Sequence, residues 1–254
     1  MEIRLDGKVA LVTGGGSGIG RATSIAYAQS GASVVVADVD EAGAKETVEQ
    51  IKRAGAKALL VRTDVSKEAQ CERMVGAATE AFGLLDIAFN NAGVMGAFGE
   101  NLHESSEQEW DRIMAINLKG VFLCMKHELR QMLRQGEGVI VNTASAMGVA
   151  GTAKSVIYPA SKHGVVGLTR CAGQQYAPLG IRINSVCPGV VDTPMTRGMR
   201  TLEPGYEEKR LEAIPLRRLC TPEEIARTVL WLSSDAASYV SGSSLLVDGG
   251  WIGR

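Results

Sequence analysis

The chain has 254 residues, of which 45% are hydrophobic and 22% charged, with a formal net charge of -1. That length suits one α/β domain with a sizeable core, and the near-neutral charge offers no basic field for phosphate backbones or anionic lipid, so neither nucleic acid nor membrane is expected as a partner. The five cysteines (Cys71, Cys124, Cys171, Cys187, Cys220) are scattered without a C-x-x-C pair, which fits reduced thiols in a cytoplasmic protein better than a disulfide framework or a zinc site.

The opening Met1–Gly7 lacks the apolar stretch of a secretory signal, and no run reaches the length of a membrane span. Strands are predicted at Val9–Thr13, Ser33–Ala37, Ala58–Val61, Leu85–Phe89, Val139–Asn142, Ile181–Val186 and Ser243–Val247. Several are apolar at successive positions, as strands covered on both faces must be. Helical stretches such as Asp40–Ala54 and Ser66–Phe82 lie between them, and Thr221-Pro-Glu-Glu224 reads as a helix start, with Thr as cap and Pro in the first turn. The charge-rich Arg130–Glu137 reads as a solvated helix end. The alternation predicts right-handed βαβ units in a doubly wound parallel sheet, a three-layer α/β/α Rossmann arrangement forming a single domain over 1–254. Pro188–Leu219 departs from the rhythm. Its four prolines suggest a long substrate-binding loop beyond a strand's carboxyl end.

Directly after the first strand comes Thr13-Gly-Gly-Gly-Ser-Gly-Ile-Gly20. Glycines there let the backbone approach a pyrophosphate, which then meets free N–H groups and a helix dipole. A glycine cluster also serves as a plain tight turn, but its place between first strand and first helix favours phosphate. Neither the G-x-G-x-x-G spacing nor a Walker A lysine is present. Asp38 ends the second strand, where a carboxylate can accept hydrogen bonds from adenosine ribose hydroxyls and repel a 2′-phosphate. No Arg or Lys stands at Ser17 or Val39 to balance such a phosphate, so NAD is expected over NADP. The competing role for Asp38 is a helix N-cap, for which Asp40 is the rival.

With these motifs in place, the sequence resembles the short-chain dehydrogenase/reductase family over essentially its whole length. Thr13-Gly14-x-x-x-Gly18-x-Gly20 matches that family's cofactor turn, bringing Ser17 and Ile19 with it. Asp64-Val65 matches its adenine-side element, and Asn90-Asn91-Ala92-Gly93 its sheet-stabilising element. Asn117, Ser145, Tyr158 and Lys162 match its catalytic tetrad. Pro188-Gly189, Val191 and Thr193 match its nicotinamide-side element, and Val247-Asp248-Gly249-Gly250 its C-terminal signature. The resemblance implies a nicotinamide-dependent oxidoreductase (EC 1.1.1.-) interconverting secondary alcohol and ketone. It also implies that Asn117 bends a helix and holds a water linking Lys162 to solvent.

The residues support that chemistry. Tyr158 and Lys162 stand one helical turn apart on one face. A phenol with pKa near 10 needs lowering by about three pH units, worth roughly 4 kcal/mol, to act as a base at neutral pH. The Lys162 ammonium and a bound oxidised nicotinamide are expected to supply it. Ser145 is expected to hold the substrate oxygen beside Tyr158, with Thr143 and Ser155 as alternative hydroxyls. A serine nucleophile is disfavoured because no G-x-S-x-G elbow occurs. No metal site is expected, since His103, His127 and His163 belong to no ligand pattern, and Cys187 reads as a buried inert thiol.

Met147, Met195 and Met199, with Met95, Phe98, Val149, Leu202 and Tyr206, are candidates for an apolar substrate pocket, although core packing or a subunit interface explains them equally well. They favour a cyclic or hydrophobic secondary alcohol over a heavily charged metabolite. Alternatives are a 3-oxoacyl-carrier-protein reductase and a non-catalytic NAD-binding scaffold. Segments 107–135 and 155–177 match those that pair between subunits in the family, which implies a homotetramer with a dimer as fallback.

Overall fold

A computed structural model describes residues 3–153, 155–202 and 205–252; the side chains of Met199, Arg200, Thr201, Leu202 and Tyr206 lie outside the described set. In chain order the elements are β1 (Val9–Thr13), α1 (Gly18–Gln29), β2 (Ser33–Asp38), α2 (Glu41–Arg53), β3 (Ala58–Arg62), α3 (Glu68–Phe82), β4 (Ile87–Asn90), α4 (Glu107–Met114), α5 (Gly120–Gln135), β5 (Gly138–Thr143), α6 (Ile157–Tyr176), β6 (Ile181–Pro188), α7 (Pro194–Leu202), α8 (Tyr206–Ala213), α9 (Pro222–Ser233) and β7 (Ser244–Val247). The seven strands form one parallel sheet in the order β3-β2-β1-β4-β5-β6-β7. The order reverses between β1 and β4, and a ligand crevice belongs at the carboxyl ends of strands flanking such a reversal.

The continuous apolar strands have a packing reason. Leu11 of β1 joins a core with Met74 of α3, Cys124 and Met132 of α5 and Val165 of α6. Its neighbours Ala10 and Val12 join the opposite core with Tyr27 of α1, Ile51 of α2 and Val229 of α9. Alternate side chains thus enter different layers, and both must be apolar. A single α/β/α domain results. Among the described residues no helix is long and apolar enough to cross a membrane.

Helix α9 starts as its sequence predicts. Thr221 Oγ1 accepts from the Glu224 amide at 3.3 Å, and Glu224 returns a carboxylate to the Thr221 N–H at 2.9 Å. Arg218 binds that carboxylate at 2.7 Å and, as the main cause, holds it down at a pKa of about 2. One stretch differs from expectation. Residues 188–219 hold helices α7 and α8 where a loop was expected. Pro188 closes β6, Pro194 occupies the first turn of α7 and Pro215 follows α8, so these prolines mark element boundaries; Pro204 lies outside the described residues. The end of α5 keeps its charges in solvent as expected, Arg130, Arg134 and Glu137 being exposed, and turns its other side inward. Met132 is fully buried, and Gln135 bonds both backbone groups of Leu85, at 3.0 and 2.9 Å.

Candidate active site

The cofactor turn is shaped by what cannot fit there. Gly14 has φ +64°, and a Cβ on it would lie 2.9 Å from the Ala92 Cα; a Cβ on Gly20 would lie 2.0 Å from the Gly14 oxygen. The turn therefore closes on itself at Gly20 and presents bare backbone on its open side. Ser17 caps α1 without a side-chain hydrogen bond, and the first turn of α1 carries no acid. An anionic group can approach these N–H groups and the positive end of the helix dipole without displacing a resident carboxylate.

The loop after β4 braces this turn. Thr13 Oγ1 accepts from the amides of Asn91 and Ala92 at 3.0 and 3.1 Å, and Asn91 Nδ2 donates to the carbonyls of Thr13 and Gly14, both at 3.2 Å. At the end of β2, Asp38 lines the cleft; one carboxylate oxygen accepts from the Gly16 amide at 2.8 Å, the other from the Asp40 amide at 2.9 Å. Asp40 occupies the N-cap of α2 without a side-chain cap bond. Asp64 receives both the amide and hydroxyl of Ser66, at 2.9 and 2.7 Å.

At the far side, Ser145 leaves β5 and caps a short 3-10 turn, accepting from the Met147 amide at 3.1 Å. Its hydroxyl lies beside Tyr158, in the first turn of α6, near enough to bear on the phenol's titration. Lys162, one turn on, is buried; Nζ donates to the Thr143 carbonyl at 2.7 Å and lies 5.8 Å from the centre of the Tyr158 ring. Burial pushes the Lys162 ammonium down to a pKa of about 8, leaving it mainly charged at neutral pH. Burial also raises the Tyr158 phenol above its ordinary value, and the neighbouring Ser145 hydroxyl pulls the other way. The expected lowering by Lys162 is thus not present in the protein alone, because the ammonium is directed at a carbonyl and desolvation prevails.

These groups share one cleft of about 440 Å³. Of the cofactor candidates, Gly14, Ser17, Gly18, Ile19, Asp38, Asp64, Val65, Asn91, Ala92, Gly93, Pro188, Gly189, Val191 and Thr193 all line it, as do Ser145, Tyr158 and Lys162. Gly20 and Asn117 do not. Gly20 is packed behind the turn, and Asn117 is fully buried in a π-helical segment, Ala115–Lys119, between α4 and α5. Its carboxamide spans both backbone groups of Val94, at 2.8 and 2.9 Å, and donates to Ser161 at 3.2 Å. Ser161 in turn donates to the Tyr158 carbonyl at 2.7 Å.

The alternative hydroxyls Thr143 and Ser155 also reach the cleft, but Ser145 is the hydroxyl that bears on the Tyr158 phenol. Met95, Phe98, Met147 and Met195 line the cleft, Val149 does not, and the side chains of Met199, Leu202 and Tyr206 are outside the described set. Sequence reasoning missed Arg210 and Trp251 in the wall. Arg210 hid in a segment read as loop, and Trp251 directly follows the C-terminal signature without a motif of its own.

Comparison with known proteins follows the same lines. The family model described as enoyl-(acyl carrier protein) reductase matches residues 14–252. The cis-4-hydroxycyclohexanecarboxylate dehydrogenase of Sinomonas cyclohexanicum is 44% identical over 96% of each chain. The 2,5-dichloro-2,5-cyclohexadiene-1,4-diol dehydrogenase of Sphingobium indicum is 46% identical over 97% of this chain and 98% of its own. The crystal structure of levodione reductase superposes with a TM-score of 0.94 at 41% identity, covering 97% of this chain and 98% of that one. By sequence, motif order and fold, the chain belongs to the short-chain dehydrogenase/reductase family of oxidoreductases.

Proposed function

We propose that the protein is a cytoplasmic, NAD-dependent dehydrogenase/reductase that interconverts a cyclic secondary alcohol and its ketone, with Tyr158 as acid/base. The observation that carries this reading is the meeting of Ser145 and Tyr158 at one cleft wall, with a buried, still-charged Lys162 one turn behind. The Ser145 and Tyr158 oxygens can hold a substrate oxygen between them. In oxidation Tyr158 takes the hydroxyl proton; in reduction it returns one to the carbonyl oxygen. Lys162 offers positive charge to the phenolate as it forms.

The remaining wall fits a dinucleotide: bare glycine backbone and the α1 N-terminus for its pyrophosphate, and Asp38 for its adenosine ribose. When bound, the nicotinamide supplies the carbon that gives or accepts hydride. Asp38 favours NAD, and the nearby Arg21 guanidinium is engaged by the Gly43 carbonyl and by Glu46 at 2.8 Å, which leaves it poorly placed to neutralise a 2′-phosphate. The ring substrates named for the two dehydrogenases, and the methionines of the pocket, support a cyclic alcohol.

Tyr158→Phe is expected to lower turnover of cyclohexanol by about 10²- to 10⁴-fold while NADH binding is kept. Separate fluorescence titrations are expected to show NADH bound more tightly than NADPH. Turnover close to wild type in the variant would refute the role of Tyr158, and tighter NADPH binding would refute that of Asp38.

A further inference from the structure

One buried hydroxyl in the cleft wall has its bonding left open. Ser155 lines the cleft and is only 4% exposed, and its side chain meets no hydrogen-bond partner among the described residues. A serine just ahead of a helix ordinarily turns its oxygen onto the first free amides. Here α6 is capped at Val156 with no side-chain bond. Nor is the Ser155 oxygen sealed inside the protein: the described buried polar atoms without a partner belong to Asn90, His127 and Glu128. The little surface that Ser155 keeps therefore opens on the cleft. The threonines of the wall, by contrast, are committed. Thr63 donates to the Val61 carbonyl at 3.1 Å, Thr143 donates to Asn91 at 3.4 Å, and Thr193 and Thr196 share a bond at 3.2 Å. Arg210 is engaged as well, its guanidinium facing the rings of Phe98 and Trp251 at 5.9 and 5.6 Å.

Its place in the chain puts Ser155 on the substrate side. Asp38 and Asp64 lie at or just beyond the ends of β2 and β3, and the glycine turn follows β1. Ser155 instead stands three residues ahead of Tyr158, where the chain leaving β5 enters α6. The side chains offered to a ring on this side, Met95, Phe98, Met147 and Met195, carry no strong hydrogen-bonding group. A hydroxyl there both donates and accepts, and leaving it unpaired in a filled pocket costs free energy that a ligand oxygen recovers. Ser145 and Tyr158 are occupied by the reacting oxygen, so Ser155 serves a different one. We infer that Ser155 is a specificity-determining residue that hydrogen-bonds a second oxygen of the substrate, a hydroxyl or carbonyl on the ring beyond the reacting carbon. The substrate class is then a ring diol or hydroxyketone. This rests on the proposed alcohol–ketone reading and narrows it.

Initial rates of NAD reduction with cyclohexanol, cyclohexane-1,2-diol and cyclohexane-1,4-diol test the inference on the full-length protein. For the wild type, kcat/KM per hydroxyl with the better diol is expected to exceed that with cyclohexanol by at least about 5-fold, the worth of one hydrogen bond. The difference is expected mainly in KM. In Ser155→Ala that ratio is expected to fall by at least about 3-fold. Ser155→Cys, which nearly keeps the volume but bonds weakly, is expected to lose the preference likewise and decides the matter should the alanine variant fail to fold. A smaller ratio in the wild type, or a ratio that holds in either folded variant, overturns the inference. A serine that merely shapes the start of α6 would slow all three alcohols alike and leave the ratio unchanged, which also overturns it. Failure of the broader reading shows separately, as absent turnover of all three alcohols by the wild type, and takes this inference with it.

Discussion

Glu128 of α5 is fully buried in the core beneath the sheet. One oxygen accepts from Asn90 Nδ2 at 2.9 Å; the other has no hydrogen-bond partner, and neither has Asn90 Oδ1. Burial raises its pKa to about 8 from the ordinary 4.5, against the pull of the Asn90 bond. The folded state therefore binds more protons than the unfolded chain between these values, and stability falls as pH rises from about 4.5 to about 8. Glu128→Gln, which cannot ionise, is expected to unfold within about 1 kcal/mol of wild type at pH 5 and to be the more stable protein at pH 8. Urea denaturation at both values checks this, and a wild-type stability that rises over the interval would contradict the shift. Legibility at this scale depended on whether partners were near in sequence. Tyr158 and Lys162 share a helix face by their spacing, and the family resemblance singled them out. Glu128 looked like one more helix charge, and Arg210 like a loop residue, because their partners Asn90, Phe98 and Trp251 arrive from other elements.

Among the elements, the π-helical segment between α4 and α5 has the clearest task. Its extra residue per turn aims the Asn117 carboxamide at the backbone of Val94 instead of at solvent. The loop leaving β4 is thereby tied to the helix pair, and through Ser161 the same side chain reaches the start of α6, where Tyr158 stands. Asn117 acts by positioning. Asn117→Ala leaves the Val94 amide and carbonyl without these partners and is expected to cost about 1–3 kcal/mol, read by urea denaturation. Hydrogen exchange at the Val94 amide is expected to quicken beyond what the global loss explains; unchanged protection there would remove Asn117 from this role. The sequence motif located Asn117 but not its geometry, since a π-turn breaks none of the rules of helical patterning. Helix α7 was missed for the opposite reason: Pro194 was read as a sign of loop where it serves as a first-turn residue.

For the molecule as a whole, the strand–helix alternation made the architecture readable, because a strand buried on both faces leaves a continuous apolar signature. An assembly was suggested only through resemblance. The structure adds that Trp110 of α4 and Phe122 and Leu133 of α5 are large apolar residues left 42%, 48% and 44% exposed. Phe122 and Leu133 lie about three turns apart on one face of α5. We expect these helices to meet a symmetry-related copy and the protein to be a homotetramer of two-fold symmetry. Light scattering is expected to return four times the 26.9 kDa protomer mass, falling to the dimer in Phe122→Glu; a wild-type monomer would contradict it.

Three of the cleft residues are anchored to the sheet's own continuation, with Ser145 just beyond β5 and Tyr158 and Lys162 on the helix packed beneath it. Phe98, Arg210 and Trp251 instead hang from three separate peripheral pieces that the sheet does not need for closure. The outer wall of the cleft can therefore be altered through three short segments while Ser145, Tyr158 and Lys162 stay in place. A small set of replacements at these places is a practical starting library for altering substrate preference without rebuilding the enzyme.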